Sequence, residues 1–384
     1  MKIHRDWVKP ISLAICFIIL PASSWGGPHA PPAGQAGSSA VSATDLSIVG
    51  WATGYENMIL GPGTSISEPD PFTGASYGPE LTLGPSDATG SEHPVLPLGQ
   101  AGQITLTFDQ PISDGEGYDI AVFENSFSST FLELAFIEVS SNGVDFFRFP
   151  SESLTTELVN SFNGQVDATD IDGLAGKYAA TYGTPFDLSE LQTVSPLLNT
   201  SAVTHVRIVD ILGDGNTFDT QGNPIYDPYP TATTAGFDLD AVGVLHQAAD
   251  YTSSIAVSVS DVLKRGPGDD ADEDGCSNAM EYALGTDAGD PQSKGVFQID
   301  MPSGNAPVFS FSRDRSAYQA ELTILWKADL SSPTWSSVAE KPVGENWQSL
   351  VTGVHVNEDE NGNVTATDTR SGLTKGFFQL EVTL

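Results

Sequence analysis

The stretch Gln103-Ile-Thr-Leu-Thr-Phe108 decides how the chain is read. Ile104, Leu106 and Phe108 alternate with polar neighbours, and successive side chains of a strand point to opposite faces, so this period of two predicts a strand with one buried face. The same alternation puts Leu132, Leu134 and Phe136 on one face of FLELAFIEVS at 131–140, and Val206 and Ile208 on one face of THVRIV at 204–209. Gly, Pro, Asn and Asp punctuate these runs, and no long amphipathic helical pattern interrupts them between Thr44 and residue 248. The predicted fold class is therefore all-β: a β-sandwich over 44–248, an acidic linker with one short helix at 249–294, and a smaller β-sandwich over 295–384.

Upstream of the first sandwich, Lys2, Arg5 and Lys9 precede an apolar run from Ile11 to Leu20 and then small residues. This predicts a secretory signal peptide at 1–26, too short in its apolar part to span a bilayer. Residues 27–43 are small, polar and rich in Pro and Gly, as in a flexible leader. Cys16 leaves with the signal, so Cys276 is alone in the mature chain and has no partner for an internal disulfide.

The 384 residues carry 50 acids against 15 bases, a formal net charge of −35. Binding to a phosphate backbone or an anionic membrane needs clustered Lys and Arg, so nucleic acid is excluded as a partner. The imbalance is local. Residues 44–248 hold 28 acids against Arg148, Lys177 and Arg207 alone, whereas 291–384 hold 11 acids against 7 bases. A domain so poor in bases points to cations as its counter-charges.

One acidic run has the spacing to hold such a cation. From Asp270, side-chain oxygens fall at positions 1, 3, 5, 9 and 12 (Asp270, Asp272, Asp274, Asn278 and Glu281), with Gly275 at 6 and the backbone carbonyl of Cys276 at 7. Ca²⁺ takes six to eight hard oxygens, and this is the spacing of an EF-hand-type loop that Glu281 would close from the first turn of the next helix. Gly266, Pro267 and Gly268 break any incoming helix just before it. The segment resembles the single-loop calcium motifs of dockerins and thrombospondin type 3 repeats, DxDxDGxxNxxEY followed by GTD, with Glu281, Tyr282 and Gly285 to Asp287 carrying the last part. The resemblance implies structural calcium that stiffens an interdomain linker; the alternative is a solvated acidic linker.

Residues 98–245 resemble a galactose-binding-like (discoidin-type) jelly roll, on LGQAGQITLTFDQPISDGEGYDIAVFENSF at 98–127, FIEVSSNGVDF at 136–146, THVRIVDI at 204–211 and GFDLDAVGVL at 236–245. They are also similar to a group of bacterial cell-surface proteins that share the FEN strand end and the GFDLDAVGV closing strand. In calcium-bearing carbohydrate modules of jelly-roll type, an acid of the final strand ligates a metal at the sandwich edge. That resemblance assigns Asp238 or Asp240 to a second calcium, with Asp119, Glu124 and Asn125 as further donors; the alternative for Asp240 is a turn cap or a solvent-facing side chain.

The long loop at 213–236 gathers Asp214, Asp219 and Asp227 with Tyr226 and Tyr229. Aromatic faces beside carboxylates suit sugar rings, while the same residues also suit a loop pinned by its own Asx turns with the tyrosines packed down. No G-x-S-x-G, H-E-x-x-H or P-loop occurs, and the six histidines lack metal spacing. The only catalytic candidates are carboxylate pairs, Glu124 with Glu133 or Glu138.

Residues 281–384 resemble a module that ends many secreted or surface proteins of Gram-negative bacteria, on EYALGTD, FSFSRDRSA, LTILWKADLSSPTWSSV and FFQLEVTL. Trp326 and Trp335 are expected in its core. Together these readings predict a secreted or cell-surface, non-catalytic, calcium-stabilised protein that binds a glycan or cell-envelope component, with no transmembrane helix in the mature chain. A structural or adhesive protein is the alternative, and a glycoside-active enzyme ranks third.

Overall fold

The computed structural model describes residues 26–67, 77–88, 95–161, 163–231, 234–302, 306–370 and 376–384. The expected signal peptide, apart from Gly26, lies outside them. The chain is all-β, with two antiparallel sandwiches joined by a segment that carries the only two α-helices of the described residues.

The first sandwich pairs a five-stranded sheet, in the order Gly54–Ile59, Gln103–Ile112, Val203–Asp210, Ala135–Ser140, Phe147–Arg148, with a second sheet built on Tyr182–Phe186, Ile120–Glu124 and Asp238–Val244. Register explains the alternation of the sequence. Leu106, Val206 and Val139 lie side by side across three strands, as do Ile104, Ile208 and Ile137. These two rows face the other sheet and are fully buried, and each such side chain contributes roughly 1.5–3 kcal/mol of apolar transfer.

The run FLELAFIEVS departs from its expected reading. Its strand begins at Ala135, and Ala135, Ile137 and Val139 face the inter-sheet core. Leu132, Leu134 and Phe136 instead bury into a separate cluster with Val166, Ile171 and Ile225. The run is apolar on both faces because both are covered, and period alone does not say which face is the main core. The long loop at 213–236 also contains regular structure: Asp214–Phe218 and Pro224–Tyr226 form an antiparallel hairpin.

Residues 27–43 are not a free leader. Gly27 and His29 hydrogen-bond to Thr169, Ser39 to Tyr178, and Val41–Ser42 adds a strand to the Tyr182–Phe186 edge. Val41, Ala43, Ile48 and Trp51 then cover Ala121 and Phe123 on the outer face of the second sheet.

The C-terminal sandwich stacks two four-stranded sheets, Gln298–Asp300, Val308–Ser312, Asn363–Asp368, Val354–Glu358 against Gln348–Ser349, Ser336–Lys341, Glu321–Lys327, Phe377–Thr383. Phe309, Phe311, Leu322, Ile324, Val338 and Leu380 fill its core. Trp326 packs at the margin of that core, with the Arg370 guanidinium over its ring. Trp335 lies outside it, under the Lys327 ammonium at 4.3 Å. No described helix is long and apolar enough to cross a membrane.

Candidate metal centres

The linker loop folds around its own carboxylates. Asp270 accepts from the Asp274 and Gly275 amides, at 3.1 and 2.9 Å, Asp272 also accepts from Asp274, and Asp274 accepts from the Cys276 amide at 2.7 Å. Gly275 has φ +96°, a left-handed conformation that costs a glycine little. As a result, ligand oxygens of Asp270, Asp272 and Asp274 lie within 4.8 Å of one another. Behind them, helix Asn278–Leu284 starts at an Ser277 cap and ends at Gly285 in the left-handed conformation.

That helix carries Glu281 beneath the loop, fully buried. Burial, and then Asp272 and Asp274, raise its carboxyl to about 7. Glu281 Oε2 and Asp272 Oδ2 are buried with no hydrogen-bond partner, and Asp274 Oδ2 has only the Lys294 ammonium at 3.5 Å. Three carboxylates whose oxygens converge, above a buried Glu281 that feels their charge, with unspent buried oxygens on Asp272, Asp274 and Glu281, fit a hard divalent cation with oxygen ligands.

One expected ligand serves the loop differently. The Asn278 side chain is buried and donates to the carbonyls of Lys264 and Gly266, while its Oδ1 accepts from Ala271 at 3.3 Å. It brackets the loop against the preceding segment instead of facing the carboxylates. Cys276, expected to offer its carbonyl, donates its amide to Asp274, which leaves the carbonyl's expected role as it was.

The four acids expected to form a second centre separate into three places. Glu124 ends one strand of the second sheet, and Asp238 starts the neighbouring antiparallel strand, where Leu239 is the register partner of Glu124. Glu133 reaches the same point from the segment leading into the opposite sheet, and ligand oxygens of the three lie within 4.8 Å of one another. All three are buried. Burial first, and then mutual repulsion with neighbouring acids, pushes Glu124 and Glu133 well above the usual carboxylate range; burial does the same to Asp238. Glu133 Oε1 and Asp238 Oδ1 have no hydrogen-bond partner, and no Lys, Arg or His forms an ion pair with the three among the described residues. An ionised carboxylate in such a place costs several kcal/mol unless a proton or a cation compensates it. An adjoining cavity of about 10 Å³, lined in part by Glu133, is the size of one water or ion.

Glu133 was not among the residues the sequence pointed to as a ligand. Its position is set by Asp227, whose Oδ2 accepts from the Leu134 amide at 2.8 Å, and by Gly176, where a Cβ would meet the Glu133 carbonyl at 1.9 Å.

Asp119 lies elsewhere. It accepts from the amides of Gly115 and Leu188 and from His246 Nδ1 at 2.9 Å, tying two loops and a ring together, and its ligand oxygens lie within 4.8 Å of those of Asp114 and Asp187. Asp240 accepts from Ser86 Oγ at 2.6 Å and the Asp87 amide; burial raises it to about 6. Each fastens a neighbouring segment to a strand.

The hairpin residues expected to meet a ligand are largely committed to the fold. Asp219 accepts from the amides of Ser153, Gln221 and Asn223, Asp214 from Asn216, and Asp227 is buried on the Leu134 amide. Tyr226 packs on the cluster around Leu132 and Leu134, and Tyr229 lines the small cavity beside Glu133. The carboxylate pair Glu124 and Glu133 is close but has no room for a sugar ring in that cavity. Glu138 is neutralised by Arg148 and Arg207. No family model and no curated protein matches the chain.

Proposed function

We propose that the chain is an exported, non-catalytic binding protein stabilised by calcium, with a glycan as its ligand. The observation that carries the calcium reading is the set of buried carboxylate oxygens without hydrogen-bond partners: Asp272 Oδ2 and Glu281 Oε2 in the linker loop, Glu133 Oε1 and Asp238 Oδ1 at the sandwich end. The donors are all oxygens, which suits Ca²⁺ over softer metals that prefer imidazole or thiolate. A cation bound only by the folded state adds stability by mass action. The glycan reading is supported by the sandwich architecture and by the sequence resemblance of residues 98–245 to carbohydrate-binding jelly rolls.

Calorimetric titration with Ca²⁺, paired with thermal melting, tests the first half. Two binding events are expected, one removed by Asp272→Ala with Asp274→Ala and the other by Glu133→Gln with Asp238→Asn. No Ca²⁺-induced rise in Tm would sink the reading. A glycan array probed with the full chain in Ca²⁺ tests the second half, and an empty array would overturn it.

A structural or adhesive role is favoured by one feature. Val296, Phe297, Ile299 and Met301 are exposed in and around the edge strand Gln298–Asp300, and an unpaired apolar edge is a template for another chain. Retained binding of the C-terminal sandwich to cell envelopes, with no glycan hits, would select that role.

A further inference from the structure

Bases are scarce in this chain, 15 in 384 residues, yet three of them meet in one place. A cavity of about 270 Å³ lies between the two sandwiches, lined by Asn142 and Asn199 of the first and by Arg313, Arg315, Lys341 and Trp347 of the second. The two acids in its lining are both engaged. Glu358 accepts from Arg313 Nε at 3.0 Å and from Trp347 Nε1 at 2.8 Å, and exposed Glu345 accepts from Gln348.

The cations keep unused capacity. Lys341 Nζ donates to the Glu345 carbonyl at 2.7 Å, which leaves two of its three N–H groups. Arg315 uses its Nη atoms on the carbonyls of Glu360 and Leu198; its buried Nε has no hydrogen-bond partner and lies 3.5 Å from Glu358 Oε1, which Arg313 already holds. Burial, and then Arg313, lower the Lys341 ammonium to about 8 against the opposing charge of Glu358. A local excess of positive charge inside so acidic a molecule selects an anion.

Size and lining narrow the class. The space exceeds the ~10–15 Å³ that a single water needs and approaches the ~300 Å³ lower end of small-ligand sites. It holds a molecule, not a bare ion. Asn142 and Asn199 each spend one amide N–H inside the fold, on Asp145 and on the Arg315 carbonyl, which leaves each a second N–H to donate to a hydroxyl, and Trp347 offers an apolar ring.

We propose that this interdomain cavity binds the carboxylate-bearing sugar residue of an acidic glycan, with Lys341 and Arg315 supplying the charge that meets the carboxylate. The proposal rests on the glycan reading given above and assigns it a site away from the 213–236 hairpin.

The test is calorimetry on the full chain in saturating Ca²⁺ with three probes: galacturonate, galactose and inorganic phosphate. Galacturonate is expected to bind at least tenfold more tightly than galactose or phosphate. Lys341→Met should weaken galacturonate about tenfold, Lys341→Arg should restore most of the loss, and neither should move the Ca²⁺ titration. Equal binding of galactose and galacturonate, or galacturonate binding indifferent to Lys341→Met, would overturn this site while leaving the glycan reading intact. Phosphate binding as tight as galacturonate would overturn the sugar assignment in favour of a plain oxyanion site. An absence of any saccharide binding, on the array and in solution, would remove both.

Discussion

The carboxamide of Asn278 donates a 2.9 Å hydrogen bond to the carbonyl of Gly266, and so fastens the last part of the acidic loop to the segment before it. The same nitrogen reaches the Lys264 carbonyl. Asn278→Ala removes both bonds from a fully buried position and leaves carbonyls without donors, at a cost of about 1–3 kcal/mol. Thermal melting in EDTA is expected to show that loss. Glu281→Gln should behave in the opposite way: little change or a small gain in EDTA, because a buried charge is removed, and loss of most of the Ca²⁺-induced rise in Tm.

Lys294 is the cation nearest the loop, its ammonium 2.9 Å from the Asp274 carbonyl and 3.5 Å from Asp274 Oδ2. It competes with a divalent ion for the same oxygens. Half exposed, it is worth no more than about 1 kcal/mol, as surface ion pairs are. Lys294→Met is therefore expected to tighten Ca²⁺ binding at the loop by up to ~5-fold, measured by calorimetry. Unchanged or weaker binding would show that the ammonium does not oppose the ion.

At the sandwich end, Glu124, Glu133 and Asp238 repel one another in a buried site. Glu133→Gln should raise Tm in EDTA at neutral pH and lower the increment that Ca²⁺ adds. A variant less stable in EDTA than the parent would mean that the carboxylate is compensated in some other way.

Asp210 gives a pH dependence of known sign. Burial raises its carboxyl to about 7, against the opposing hydrogen bonds from the Phe237 and Ala101 amides. A folded-state value above the unfolded 3.8 means that the folded state holds the proton more tightly. Its contribution to stability is thus complete below about pH 4 and is lost as the pH rises through about 7. Denaturant unfolding in EDTA should show stability falling across that window more steeply in the parent than in Asp210→Asn. Equal slopes would mean that Asp210 ionises as freely as in the unfolded chain.

The legible parts of this molecule were those encoded by near neighbours in sequence. The alternation at 103–108 and 204–209 named the inward faces correctly because one strand suffices to set parity. The linker loop brings Asp270, Asp272 and Asp274 together within five residues, so its spacing is a local property of the chain. Glu133, offered by the sequence only as a catalytic partner of Glu124, escaped as a ligand because it meets Glu124 and Asp238 only when two sheets close on each other. That Asp119 and Asp240 stand apart from Glu124 and Asp238 was hidden for a related reason: an acid at a strand end looks the same whichever neighbours the fold brings to it. Asn278 sits at the ligand position of the motif but turns its amide toward the backbone of 264–266, a choice that spacing does not encode.

The segment covering Phe123 has a consequence for how the chain assembles. Ser39 meets Tyr178 across 139 residues of sequence, and Val41 pairs with Gly183, so the covering segment has nothing to pair with until the Tyr182–Phe186 strand is in place. Contacts of such long separation close slowly. The N-terminal cover therefore cannot seat until residues 182–186 have been made, and until it does, the growing protein presents the outer face of that sheet, Ala121 and Phe123, to whatever chaperone accompanies it.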